Sequence, residues 1–257
     1  MFRYYFTRIF VLSVFLSISV GIDAQNSITD SGKTQQEIEG GVWSPQPKVV
    51  TPGKATCSNP IPAPSDADIL FDGSDLSQWE SVNGGAARWP VAVGAFTVDK
   101  KLGNIRTKKS YRDFQLHIEW RIPLNVQDGA HSQHRGNSGV FLQGKYEIQI
   151  LDSYHHTTYI DGQAGSIYKQ SPPLVNAMNP PDEWNTYDVI YTAPTFTDEG
   201  KVKTNPVVTV FHNGVLIQNH FVIKGIPTSG DGPIILQAHR DKTTTNVSFR
   251  NIWAREL

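Results

Sequence analysis

From residue 68 onward, apolar and polar residues alternate in short runs punctuated by Gly, Asn, Asp and Pro. The longest run, Phe114 to Ile122, is apolar at 114, 116, 118, 120 and 122 and otherwise polar. A period of two predicts a half-buried antiparallel strand. Shorter apolar runs predict further strands at Ile69–Phe71, Ala95–Val98, Tyr187–Tyr191, Pro233–Gln237 and Val247–Trp253. Val207–Phe211 and Val215–Gln218 flank His212-Asn213-Gly214, and Asn-Gly is a strong hairpin turn. No segment of helical length carries a 3.6-residue period. Many short, evenly spaced strands predict an all-β fold, a two-sheet sandwich of jelly-roll type.

One predicted strand pair breaks the rule for a buried strand. Ser138–Gln143 and Lys145–Leu151 are joined by a tight Gln-Gly turn, and the second carries Glu147 and Gln149. Residues two apart point from the same sheet face. Asp152 follows at the strand's end. A carboxylate, an amide and a second carboxylate on one face predict a ligand site.

The first part of the chain is of different material. Residues 1 to 24 read as a secretory signal: Arg3 and Arg8 precede an apolar run from Ile9 to Ile22, and Ala24 offers a small residue for cleavage. The predicted mature protein has no membrane span and is exported, to a periplasm or beyond. Residues 25 to 64 are polar and then Pro-rich, ending Pro60-Ile61-Pro62-Ala63-Pro64. They read as an extended spacer. Residues 65–257 form the predicted β-sandwich domain, at about 190 residues an ordinary size for one such unit. The single cysteine, Cys57, excludes an intrachain disulfide. Removing residues 1 to 24 takes the net charge only from −1 to −2. So small a charge gives no broad electrostatic reason to bind nucleic acid.

Ordered motifs along the domain resemble one family. Ile69-Leu70-Phe71-Asp72-Gly73, with Leu76 and Trp79, is similar to the opening of the bacterial 3-keto-disaccharide hydrolase family. Arg106-Thr107-Lys108-Lys109-Ser110-Tyr111, Gly136-Asn137-Ser138-Gly139-Val140-Phe141 and Tyr146-Glu147-Ile148-Gln149-Ile150-Leu151-Asp152-Ser153 continue the match. So do Pro172-Pro173-Leu174-Val175-Asn176, Glu183-Trp184-Asn185-Thr186-Tyr187, His212-Asn213-Gly214-Val215, Gly232-Pro233-Ile234 with His239, and Phe249-Arg250-Asn251-Ile252-Trp253. The resemblance implies a concanavalin A-like fold and action on glycosides oxidised to a ketone at C3. It also implies an upstream sugar 3-dehydrogenase that installs the ketone, and a small carbohydrate substrate. One departure is a longer segment from Asn125 to Arg135, which includes His131 and His134.

The spacing of Glu147, Gln149 and Asp152 is similar to the Glu-x-Asp-x-x-Glu signature of laminarinase-like enzymes of the same fold. Here an amide replaces the central carboxylate, which weakens a two-carboxylate mechanism. A C3 ketone acidifies the C2 hydrogen and opens a different route: a base removes that proton and the C1 oxygen leaves by elimination. Glu147 is the expected base, with Asp152 or His239 as second acid/base. Gln149, Arg135 and Tyr168 are expected to donate to the ketone or the sugar hydroxyls, and Trp184 to stack on a ring. Alternatively a divalent metal polarises the ketone, with Glu147, Asp152 and His239 as ligands. Two other functions fit the same residues: a carbohydrate-binding, lectin-like module without catalysis, and a conventional β-glycanase.

Overall fold

A computed structural model describes residues 62–124, 133–240 and 246–257, together with residue 46 and the backbone at 27–28, 34–38, 42–44 and 48–49. The predicted signal, Cys57 and His131 lie outside the described residues. Among the described residues no helix is long and apolar enough to cross a membrane.

Short strands come first: β1 (Ser27–Ile28), β2 (Thr34–Ile38), β3 (Val42–Ser44) and β4 (Lys48–Val49). The domain then runs β5 (Asp68–Phe71), β6 (Trp79–Ser81), β7 (Val91–Ala92), β8 (Ala95–Thr97), β9 (Ile105–Thr107), β10 (Phe114–Arg121), β11 (Ser138–Leu142) and β12 (Tyr146–Ile150). It continues with β13 (Val175–Asn176), β14 (Trp184–Thr192), β15 (Thr195–Phe196), β16 (Val202–Thr204), β17 (Val207–His212), β18 (Val215–Val222), β19 (Ile235–Leu236) and β20 (Ser248–Glu256).

Two antiparallel sheets make the sandwich. The larger has the order β18-β17-β14-β10-β20-β8-β7, with β5 also paired to β20. The smaller has the order β12-β11-β19-β9-β6. The all-β, two-sheet expectation is met. Both predicted tight turns have two left-handed residues, Gln143 and Gly144 (φ 52° and 69°) and Asn213 and Gly214 (φ 51° and 77°). That geometry matches the twist of the strands they join.

The core lies between the inner faces. Phe114, Leu116, Ile118 and Trp120 of β10 are fully buried there, facing Val140, Ile148 and Leu236 of the smaller sheet in one apolar cluster. Each such side chain contributes roughly 1.5–3 kcal/mol by leaving water. Two of the buried tryptophans satisfy their indole N–H on the backbone: Trp79 Nε1 donates to the Leu70 carbonyl at 2.8 Å and Trp89 Nε1 to the Gly103 carbonyl at 3.0 Å. Tyr187 reaches across the sandwich and donates to the Gln149 carbonyl at 2.8 Å, tying the larger sheet to β12.

The outer face of the larger sheet departs from simple alternation. His117 and Glu119 point away from the core on β10, yet they are buried. A bulge in β20 opposite them adds one residue, and Asn251 there takes φ 44°. The bulge brings Arg250 and Asn251 together onto Glu119, at 2.6 and 2.9 Å. Trp253 stacks on His117, and Asp188 bonds the His117 ring at 2.6 Å. Burial alone would lower the His117 pKa, but the carboxylates of Asp188, at 2.6 Å, and Glu119, at 3.7 Å, stabilise the imidazolium more and push it up to about 9.

Gln46 and β4 lie along the domain: β4 pairs in parallel with β13, and Gln46 Oε1 accepts a 2.5 Å bond from Gln163 Nε2.

Candidate functional site

Tyr146, Ile148 and Ile150 of β12 enter the core, so Glu147 and Gln149 point from the opposite face of the smaller sheet. The strand register builds that face row by row. Glu147 lies opposite Phe141, which lies opposite Ile235, which lies opposite Arg106. In the next row Gln149 pairs with Gly139, and Gly139 accepts the Gln237 N–H at 3.0 Å.

Gly139 explains how the Glu147 carboxylate is held. A Cβ at residue 139 would sit 2.2 Å from Glu147 Oε1. The carboxylate therefore lies across the bare backbone of β11, reaching from its own row into that of Gln149 and Gln237. Among the described residues no cation or hydrogen-bond donor pairs with it, and burial pushes its pKa up to about 7. An uncompensated, partly buried carboxylate behaves in this way.

A loop walls the site beside β12. Residues 165–168 add to the sheet edge: the Gln149 N–H donates to the Ser166 carbonyl, and the Tyr168 N–H donates to the Glu147 carbonyl, both at 3.0 Å. Ile148 bridges Ile167, which puts Tyr168 beside Glu147 on the same face. The Tyr168 and Tyr159 hydroxyls are 2.8 Å apart, and Lys169 Nζ lies 3.3 Å from the centre of the Tyr159 ring. Burial raises the Tyr159 pKa most, followed by the bond to Tyr168, with the charges of Asp161 and Glu147 adding to it. Tyr159 is thus a neutral hydroxyl within the electrostatic reach of Glu147.

Gln149 Nε2 donates to Gln133 Oε1 at 2.8 Å, while its own Oε1 is buried without a protein partner. Gln237 Oε1 is buried and unpartnered as well. Two orphaned acceptors beside a carboxylate are suited to ligand hydroxyls.

The residues expected from sequence divide into three groups. Glu147, Gln149 and Tyr168 come together. His239 belongs to the same face: Ala238 enters the core, and His239 lines a cavity of about 290 Å³ with Gln237. Asp152 and Arg135 are withdrawn into each other. Arg135 donates to Asp152 Oδ2 from two nitrogens, at 3.1 and 2.6 Å, the Tyr154 N–H takes Oδ1, and the Asp152 side chain is wholly buried. Asp152 therefore holds the strand end, and Arg135 serves it. Trp184 is on the other sheet. Tyr187, Val189 and Tyr191 of β14 enter the core, so Trp184 faces outward, between the guanidinium groups of Arg121 and Arg250 at 4.8 and 4.2 Å. It is not part of this face.

The expected metal set is likewise not assembled. Among the described residues no three His, Cys, Asp or Glu side chains form a group that could hold a metal. Asp152 is engaged by Arg135 instead. His155 is exposed on a turn.

Sequence reasoning missed Tyr159, Gln237 and the role of Gly139. A glycine inside a strand, opposite a polar pair, is a signal of close approach and was the available clue.

Comparison with known proteins supports the fold. A crystal structure of a "putative glycosyl hydrolase" from Parabacteroides distasonis shares 57% identity and covers 83% of this chain and 93% of its own, with a TM-score of 0.73. A second protein of the same description from that organism, at 21% identity and TM-score 0.53, covers 74% of this chain and 94% of its own. That likeness is one of fold alone. A search of curated proteins found no match. A family model, the 3-keto-alpha-glucoside-1,2-lyase-like domain, matches residues 66–255, the same stretch that carries the ordered motifs. The chain belongs to this 3-keto-alpha-glucoside-1,2-lyase-like family.

Proposed function

We propose that the protein is an exported carbohydrate-active enzyme that cleaves 3-keto-glycosides by elimination across C1 and C2. The observation that carries this reading is the isolated Glu147 carboxylate, laid over Gly139 and titrating near neutrality. A base works best when its pKa lies near the working pH.

Glu147 removes the C2 hydrogen as a proton. The electrons of that C–H bond form a C1–C2 double bond, and the C1–O bond breaks. The departing oxygen takes a proton from His239 or from water. The products are a free alcohol and a 2-hydroxy-3-keto unsaturated sugar. Addition of water at C1, with return of the proton to C2, makes the net reaction a hydrolysis. Negative charge gathers on the C3 oxygen between these steps, and the Tyr159–Tyr168 hydroxyl pair stands as its donor.

A two-carboxylate glycosidase mechanism needs a second free carboxyl group. Gln149 occupies one candidate position, and Asp152 is closed by Arg135. Both facts favour elimination. The substrate is the product of an oxidoreductase that has already oxidised C3.

Turnover of 3-keto-maltose without turnover of maltose, lost in Glu147→Gln, is the expected result. Cleavage of maltose itself would favour a conventional glycosidase. Binding of either sugar without any turnover would leave a lectin-like module.

A further inference from the structure

Residues 25 to 64 read as a spacer from sequence, yet part of that segment grips the loop that carries Tyr159. Gln46 uses both ends of its amide there: Nε2 donates to the Thr158 carbonyl at 3.4 Å, and Oε1 accepts from Gln163 Nε2 at 2.5 Å. One side chain thus ties together the two ends of a loop at residues 158–163. Just beyond Gln46, β4 pairs in parallel with β13. β13 is fixed in turn, because Asn176 Nδ2 donates to the Ser153 carbonyl at 2.7 Å and Ser153 Oγ accepts the Ala164 N–H at 2.9 Å. Gln46 and β4 both precede residue 66, where the match to the family domain begins.

We propose that Gln46 is a positioning residue, and that it and β4 clamp this loop so that the Tyr159 hydroxyl is held for the reaction at Glu147. The chemistry rests on the elimination reading above. Three observations carry it. First, the same loop is bonded to the site. Gln133 Nε2 donates to Thr158 Oγ1 and to the Gly162 carbonyl, at 3.1 and 3.0 Å, and Gln133 Oε1 accepts from Gln149 at 2.8 Å. A continuous chain of polar contacts therefore runs from Gln46 through Thr158 and Gln133 to Gln149, which shares its sheet face with Glu147. Second, Tyr159 moves with the loop. The Gly162 N–H donates to the Tyr159 carbonyl at 3.1 Å, and a Cβ at residue 162 would sit 1.9 Å from Tyr159 Cε2, so the ring lies against the bare backbone of that turn. Third, the hydroxyl is registered to the base. It lies 2.8 Å from the Tyr168 hydroxyl, and the Tyr168 N–H donates to the Glu147 carbonyl at 3.0 Å. A donor fixed before charge develops stabilises that charge without reorganising.

The test is a double-mutant cycle in the full chain, read on 3-keto-maltose. Gln46 is half-buried and outside the apolar core, so Gln46→Ala leaves the core intact. It should lower kcat about tenfold, less than the roughly 10²–10³ of a removed donor, and leave KM within about twofold, since the hydroxyl acts on charge that exists only between the steps. In a Tyr159→Phe background the same change should cost nothing further, because the group it positions is gone. An unchanged kcat in Gln46→Ala, or an equal loss with and without the Tyr159 hydroxyl, would overturn the proposal. Hydrogen exchange read by mass spectrometry needs no turnover. Gln46→Ala should speed exchange in residues 158–163 and leave β10 as it was. Exchange that is unchanged in the loop, or that rises equally in β10, would also overturn it. If the wild type does not turn over 3-keto-maltose, the elimination reading fails by itself, and the exchange rates alone decide the clamp.

Discussion

The Glu147 carboxylate lies over Gly139 so closely that a single added methyl group would meet Oε1 at 2.2 Å. Gly139 has an ordinary extended backbone, so its missing side chain serves the neighbour rather than the chain direction. Gly139→Ala should therefore fold, with the flexible Glu147 side chain pushed aside. Displacements of this size cost about 100-fold in rate. Circular dichroism and turnover of 3-keto-maltose, measured together, check it. Wild-type activity in the folded variant would mean that Glu147 acts from elsewhere or not at all.

The raised pKa of Glu147 gives activity a definite pH dependence. The base form is the ionised form, and burial holds the proton on until about pH 7. The kcat/KM should rise with pH to a plateau above 7 and fall about tenfold per unit below it. Glu147→Gln should lose both this limb and about 10²–10⁴ of the rate. The opposite limb, with activity rising as pH falls through 7, would make Glu147 an acid in the limiting step.

Asp152 and Arg135 are a buried ion pair, and removing one partner leaves the other charge without compensation. Asp152→Ala should destabilise the domain by about 3–5 kcal/mol, read by denaturant unfolding. Unchanged stability would mean that water reaches Arg135 in the variant and that the pair does not hold the strand end.

His117 predicts a stability change far from the site. Its folded pKa is raised from 6.5 to about 9, so between these values the folded state holds a proton that the unfolded chain lacks. That stability is complete below 6.5 and is lost as the pH rises through about 9. The size is about 3 kcal/mol, from the shift alone. Unfolding free energies at pH 6 and pH 10 measure it, and Asp188→Asn should shrink the difference. Equal pH dependence in that variant would contradict the assignment.

Much of the architecture was legible because strand period is a local signal. The alternation at Phe114–Ile122 places Phe114, Leu116, Ile118 and Trp120 in the core, and Asn213-Gly214 makes its hairpin. Alternation alone assigned His117 and Glu119 to solvent. It could not foresee that a bulge in β20 would bring Asn251, Arg250 and Trp253 over them, since that contact joins residues more than 130 positions apart. The site followed the same division. Glu147 and Gln149 sharing a face is a property of one strand. The burial of Asp152 by Arg135, and the placing of Trp184 on the far sheet, depend on which strands become neighbours. Tyr159 reaches the site only through a loop that folds back on β12.

Cleavage in D₂O addresses the C2 proton itself. In the elimination mechanism Glu147 removes the C2 hydrogen of 3-keto-maltose, and solvent returns a deuteron there when water adds. The released 3-keto sugar should carry deuterium at C2, seen by mass spectrometry, and Glu147→Gln should release almost none. A released sugar that keeps its original C2 hydrogen would mean direct displacement at C1, and would contradict Glu147 as the C2 base.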